Sequence, residues 1–572
     1  MVKETGEEVH LLRPASDVMQ IERLGAFRST SLSFLRIMLR KMMREVWKID
    51  KVLFNLDEEG YGEVVYHIRT PQGLFTFVAF SQEIHDEERS DRVISEKWDV
   101  TFALCEGLIS NEKVNWLRSE LPKQEFGRGD MDDLVWSRAN KSGRMFNHVI
   151  ESLINGKQPD PKVLNDVGYL FRTTAVYGNG KFGIAPYKKI QENHSFSGAY
   201  QAQMFAVYIL RHFSFELVEH IARMKNPNAP KLHPELKRII GTGNATGLGM
   251  VPFLISHPKL LHQWIFIRET ALARVKKINP SEVDCKRFIK NIEQVCLYLQ
   301  ESPTPEIEVF ESPEELAAGC EIIKSLVQEF CESKTFYGME IGNPWIALTD
   351  IAKERLTIEM QELLHSLLIE LYAGHVLDLE ACTNTHEEYE IIPEMTLEML
   401  QGIIEKQYGW ALRYNFEDDA EKHYFWYRSV EKEEPRIGVR GEDPGEDRAM
   451  PLNIAEQVQL LNKVLQNHSG NETVAAFLLK NPNCKGIVKR IQSLYEYEYS
   501  EIQCNLLNKD TLPIHLLKCK LALFGAERFD PKSNRWVRIT LFQGAPLVEE
   551  IGKETFKDSW IFPQLPVMEE VK

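Results

Sequence analysis

Apolar residues first recur at helical spacing at Phe34, Ile37, Met38, Met42 and Val46. Ser29, Thr30 and Ser31 stand ahead of them as N-caps, so the pattern predicts a helix over 31–47. Arg36, Arg40, Lys41, Arg44 and Lys48 fall on its other side, where they are expected to face water while the apolar side covers a core. The period then drops to two. Val52–Leu56, Glu63–Ile68 and Leu74–Phe80 read as strands, and Gly60, Gly62, Pro71 and Gly73 punctuate them. Connections this short imply antiparallel neighbours, and Trp98–Leu104 reads as a fourth strand.

From Asn111 to about Gln407 the pattern is helical. Ser312-Pro-Glu-Glu315 and Asn279-Pro-Ser-Glu282 each combine a cap, a proline in the first turn and a glutamate able to close a capping box. His257-Pro258 and Asn343-Pro344 mark further helix starts. Residues 198–224 are apolar nearly all round in their first half, the mark of a central buried helix. Strand patterns return at Gly409–Asn415 and His423–Arg428, which flank an acidic turn and predict a hairpin. A charged, Pro- and Gly-containing stretch at 431–449 precedes helices over 452–524 and a last strand at Trp536–Phe542. The expected class is α+β, predominantly α-helical. It comprises a small N-terminal antiparallel β-meander with its amphipathic helix (1–110), a large helical body (111–407) and a C-terminal region with a hairpin (408–572).

Composition narrows the function. At 572 residues the chain exceeds the roughly 250–300 residues at which single cores stop growing. Its 84 acidic against 68 basic residues give a net charge of −16, which disfavours nucleic acid and anionic membrane as main partners. None of the nine cysteines forms a C-x-x-C pair, which reads as reduced, mostly buried thiols without a structural zinc or a disulfide framework. The polar first residues lack a secretory leader, and the longest charge-free helical stretch, Gly198–Leu210, falls short of the ~20 residues a bilayer needs. A cytoplasmic protein is expected, with homo-oligomerisation left open.

Two segments concentrate candidate chemistry. In Arg172–Gly183, three glycines free the backbone for converging N–H groups, and Arg172, Thr173, Thr174, Tyr177, Asn179 and Lys181 surround them. Such a set suits an anion, although the spacing is neither a Walker A loop nor a dinucleotide fingerprint. In Gly241–Met250, four glycines accompany Thr242, Asn244 and Thr246, which can hydrogen-bond an oxyanion; close packing is the competing explanation for the glycines. The aromatic and arginine-rich stretch 408–440 adds Arg428 as a substrate contact. Glu216 with His220, and Glu362 with His365, carry helical spacings that metal bundles use, but a di-metal site needs more carboxylates, so no metal or other cofactor is expected. The pattern predicts an enzyme of lyase, isomerase or hydrolase type. It would act on a small anionic carboxylate or phosphate metabolite, with Lys181 and Tyr177 moving protons. A non-catalytic helical scaffold and a metal-dependent oxygenase are the alternatives.

Overall fold

The computed structural model describes residues 12–83, 98–123, 129–173, 193–246, 251–301, 311–332, 335–336, 339–340, 342–382, 389–416, 424–428, 435–439, 441–442, 450, 452–503, 513–526, 528–533, 536–553 and 562–566. Its strands are β1 (Lys48–Leu56), β2 (Gly62–Arg69), β3 (Leu74–Ser81), β4 (Val100–Glu106), β5 (Asp133–Lys141), β6 (Tyr169–Thr173), β7 (Gly241–Thr246), β8 (Thr335–Phe336), β9 (Met339–Glu340), β10 (Tyr424–Arg428), β11 (Pro435–Val439), β12 (Arg528–Ser533) and β13 (Trp536–Leu541). The helices that shape the sites are α1 (Ile21–Ala26), α2 (Phe34–Arg44), α3 (Gln201–Lys225), α4 (Val251–Ser256), α5 (Pro258–Lys276), α6 (Glu282–Glu301), α7 (Pro313–Glu332), α8 (Pro344–Arg355), α9 (Ile358–Leu371) and α10 (Pro513–Phe524).

A single mixed sheet of nine strands dominates, in the order β1-β2-β3-β4-β5-β6-β7-β13-β12. This corrects the expected small N-terminal meander. β1 to β4 do pair antiparallel in sequence, but the sheet runs on through β5, β6 and β7 and is completed by β13 and β12 from the far end of the chain. The missed strands lack the alternation that betrays a half-buried strand. β5 is buried over its first seven residues, β6 has only five, and β7 reads Gly-Thr-Gly-Asn-Ala-Thr, a composition poor in strand formers. The C-terminal hairpin also differs from expectation. Gly409–Leu412 forms a helical turn directly after the 397–407 helix, and the hairpin pairs β10 with β11, Tyr424 opposite Val439.

α3 packs against β3 to β7, and residues 201–211 are buried throughout, as the all-round apolar pattern requires. The opposite face of the first strands is covered by the 111–120 helix, whose Val114 and Leu117 meet Val65, Val78, Phe80 and Trp136. A second core gathers residues of α5 to α9, with Trp345, Phe288 and Leu364 at its centre. Cys285 on α6 and Cys331 on α7 form a disulfide, so the reading of the thiols as all reduced is corrected. Among the described residues no helix is long and apolar enough to cross a membrane.

The basic side expected of α2 faces water only in part: Arg44 and Lys48 are exposed, and the other cations turn into the protein. Arg36 is buried against Glu370, Arg40 and Arg44 both reach Glu380, and the Lys41 ammonium donates to the carbonyls of His194 and Ser195. The pattern extends upstream. Arg13 and Arg23 meet Glu362, and Arg28 meets Glu359. The N-terminal segment is thus strapped along the acidic edge of α9 and the turn after it, arginine by arginine.

Candidate functional site

Among the described residues β6 and β7 are the one parallel pair in the sheet, and both glycine-rich segments continue from their C-terminal ends in the sequence. Arg172 stands opposite Gly243. Side chains alternate along a strand, so Thr173 and Asn244 share one face and Arg172 lies on the other. Asn244 pairs across to Ile539 and Thr242 to Leu541, both fully buried residues of the main core. Thr173, Thr242 and Asn244 therefore face inward together, at the carboxyl ends of parallel strands where open α/β sheets place their ligands.

Two of the β7 glycines have a packing reason. A Cβ on Gly243 would meet the Tyr169 ring at 2.5 Å, and one on Gly241 would strike the Leu541 carbonyl of β13. Gly241→Ala is accordingly expected to cost about 1–3 kcal/mol through overpacking and a displaced β13, read as a lower urea midpoint. An unchanged midpoint would mean that β13 is free to shift.

The side chains that follow each of those glycines behave differently. Asn244 is 0 % exposed, and neither its Nδ2 nor its Oδ1 has a hydrogen-bond partner; the Thr242 hydroxyl, also 0 % exposed, has none either. Leaving such a group dry costs about 1–3 kcal/mol. Gln201 and Gln203, in the first turn of α3, each hold a buried Oε1 in the same condition. Thr173 differs, its hydroxyl donating to the Arg138 carbonyl at 2.8 Å.

Chain continuity adds further groups. α4 begins just past the end of β7, and its Phe253 ring stacks on His257 at 4.2 Å and meets Tyr200 and Phe524 at 5.6 and 6.2 Å. Tyr200 precedes α3 with a φ of 60°, a left-handed conformation rare for a residue with a side chain. Against two of these rings lies Lys520 of α10, 1 % exposed, its Nζ 3.8 Å from the Phe253 centroid and 5.0 Å from that of Phe524. Burial drives the Lys520 amine well below the usual lysine value and so favours its neutral, proton-accepting form.

A second polar centre lies where the N-terminal strap meets α5 and α9. Arg13 bridges Glu269 at 2.7 Å and Glu362 at 2.5 Å, while the buried Arg268 reaches the same two carboxylates at 3.0 and 2.8 Å. Burial alone would raise the Glu362 carboxyl, but Arg13 and Arg268 outweigh it and hold the group well below the usual carboxylate range. Burial and the Arg13 charge push His365 down to about 3, and the same two causes lower Lys276 to about 8. A cavity of about 330 Å³ opens here, lined by Arg13, Arg23, Lys276, Gln361 and His365.

Of the residues singled out from sequence, the structure brings Thr173, Thr242 and Asn244 together and turns Arg172 away. Thr174, Tyr177, Asn179 and Lys181 lie outside the described residues, as do the side chains of Thr246 and Arg428. The two metal-spaced pairs are not brought together. Glu216 accepts from Lys51 and Tyr66, and the His220 ring meets the Asp57 carbonyl at the β1–β2 turn. Glu362 and His365 sit instead in the arginine cluster. Among the described residues, no group of three or more His, Cys, Asp or Glu side chains is placed to hold a metal ion.

Sequence reasoning missed Lys520, Tyr200 and Phe253. Lys520 carries a readable signal, since a Lys-Cys-Lys triplet interrupts an otherwise apolar helix and lysines are rarely buried without a reason. Tyr200 and Phe253 carry none. Comparison with protein-family models, curated proteins and solved structures gave no match to this chain.

Proposed function

We propose that this chain is an enzyme acting on a small anionic metabolite, a carboxylate or a phosphate, bound at the C-terminal ends of β6 and β7. The observation that carries this reading is Asn244. A side-chain amide with both polar atoms unsatisfied at 0 % exposure, beside an equally unsatisfied Thr242 hydroxyl, is stable only at a cost that a bound oxygen-rich ligand removes. Thr242 and the Asn244 amide nitrogen supply donors to an oxyanion. The glycine-rich segments that continue from both strands supply backbone N–H groups. Lys181 and Tyr177 are the acid–base pair offered by the sequence, and Lys520 adds a buried amine able to take a proton. Acid–base chemistry on an anionic substrate fits a lyase, isomerase or hydrolase acting in the cytoplasm. Nucleic acid is a poor partner for a chain with a net charge of −16.

The test is a thermal-shift panel of carboxylates and phosphates on the wild type and on Asn244→Leu. A ligand at 100 times its dissociation constant adds about 2.7 kcal/mol to the wild type. The Leu variant is expected to lose that response while its ligand-free stability stays level or rises, because the unsatisfied amide has gone. If no anion shifts the wild type, the enzyme reading fails and a non-catalytic scaffold replaces it. If Asn244→Leu responds as the wild type does, the site lies elsewhere.

A further inference from the structure

α6 and α7 form an antiparallel hairpin, and the Cys285–Cys331 bridge fixes its register. Eleven residues forward from Cys285 stands Cys296, and eleven back from Cys331 stands Cys320. Eleven residues make about three helical turns, so the same faces meet again one step along the hairpin. Both thiols lie in the wall of the second core, near enough for each to act on the ionisation of the other. Cysteine as a mere small core residue does not account for two opposed pairs in one register, when four of the nine cysteines of the chain stand in this hairpin.

We infer that Cys296 and Cys320 are a second disulfide site, closed by a small disulfide oxidant of the glutathione class. Cys296 is half-buried and Cys320 is 1 % exposed, which sets the order of events. The Cys296 thiolate attacks one sulfur of the oxidant, forming a mixed disulfide and releasing one glutathione thiolate. The Cys320 thiolate then attacks the Cys296 sulfur, closing the bridge and releasing the second glutathione. Two protein thiols are oxidised, one oxidant disulfide is reduced, and two protons leave. Cys320 cannot start the sequence, because nothing larger than its neighbour reaches it. Burial pushes both thiols up, Cys320 to about 12, so closure is slow near neutrality and quickens as pH rises. The charges that face the pair are Glu321 and Lys324 beside Cys296, and Arg28 and Glu321 beside Cys320; Lys324 is itself paired with Glu293. Closure would staple the hairpin at both ends of its contact. It would thereby stiffen the outer wall of the second core, against which α9 and the N-terminal strap are seated.

The experiment holds the full chain in glutathione buffers of rising oxidised-to-reduced ratio, quenches with an alkylating agent and maps peptides without reduction. The Cys296–Cys320 cross-link is expected to accumulate with the ratio, faster at pH 9 than at pH 7, with no lasting glutathione adduct on Cys296. Cys320→Ser should arrest the reaction at that adduct, and Cys285→Ser should leave the Cys296–Cys320 bridge able to form. The inference is overturned if Cys296 stays alkylatable at every ratio in natively folded wild type, or if a stable adduct replaces the bridge. Because the deciding measurement uses the wild-type chain, a variant that fails to fold leaves the outcome decidable.

Discussion

Glu362→Ala is expected to destabilise the protein by about 3–5 kcal/mol, the usual cost of removing one partner from a buried ionic cluster. Glu362 is 0 % exposed and accepts from Arg13, Arg23 and Arg268. Arg268 is 0 % exposed as well, so without Glu362 its one remaining carboxylate is Glu269, which it shares with Arg13. Arg13, Arg23 and Arg268 would then lose the carboxylate they share, and Arg268 has no water to spread its charge. Set against a total stability of roughly 5–15 kcal/mol, such a loss is severe. Urea denaturation measures it directly, and a midpoint change worth less than about 0.5 kcal/mol, the spread of ordinary surface substitutions, would refute the role given to the cluster. Arg268→Met combined with Glu362→Leu should recover most of the loss, because the charge left behind is removed with its partner. The acid limb gives an independent check. The folded-state pKa of Glu362 lies below its unfolded value of about 4.3, so its contribution is present above that pH and fades as pH falls through the folded value. The wild type should therefore lose stability more steeply than Glu362→Ala on acidification below about pH 4.

The same cluster shows why part of the fold was legible in the sequence and part was not. The 3.6-residue period located α2, α3 and the proline-started helices because each buries one apolar stripe or all of its surface. It also assigned Arg36 and Arg40 to solvent, since a periodicity separates apolar from polar residues and carries no information about a glutamate more than 300 positions away. The sheet failed for a related reason. β1 to β4 are joined by local turns and could be read, whereas β7 lies between β6 and β13, and its Gly241 and Gly243 make sense only against the backbone of β13 and the ring of Tyr169. For the candidate site, composition singled out Thr173, Thr242 and Asn244, because polar residues among glycines are conspicuous. That Arg172 faces away follows from one register pairing, which no sequence window contains.

Lys520→Met is expected to stabilise the protein near neutral pH and to remove a proton acceptor from the proposed site. Lys520 sits inside an apolar helix at 1 % exposure, with the Phe253 and Phe524 rings 3.8 and 5.0 Å from its amine. Methionine is similar in length and needs neither hydration nor a partner. Replacing a buried ionisable group by an apolar one of like volume is commonly neutral or stabilising by about 1–4 kcal/mol. The alkaline limb fixes the sign. Burial puts the folded pKa of Lys520 below its unfolded value of about 10.4, so the unfolded chain binds the extra proton between the two and wild-type stability climbs with pH across that window. Lys520→Met lacks this climb, so its advantage over the wild type is largest below the folded value and shrinks as pH rises toward 10. Lys518, which burial lowers to about 8 although Glu359 opposes the shift, contributes its own slope to both proteins and cancels in the comparison. A residue whose loss strengthens the fold is retained for something other than the fold. If Lys520→Met is instead less stable at neutral pH, the amine serves the fold and its place in the site falls. If the variant is more stable and still binds the anion that shifts the wild type, binding belongs to Asn244 and the glycine-rich segments, and Lys520 takes part only in the proton transfer that follows.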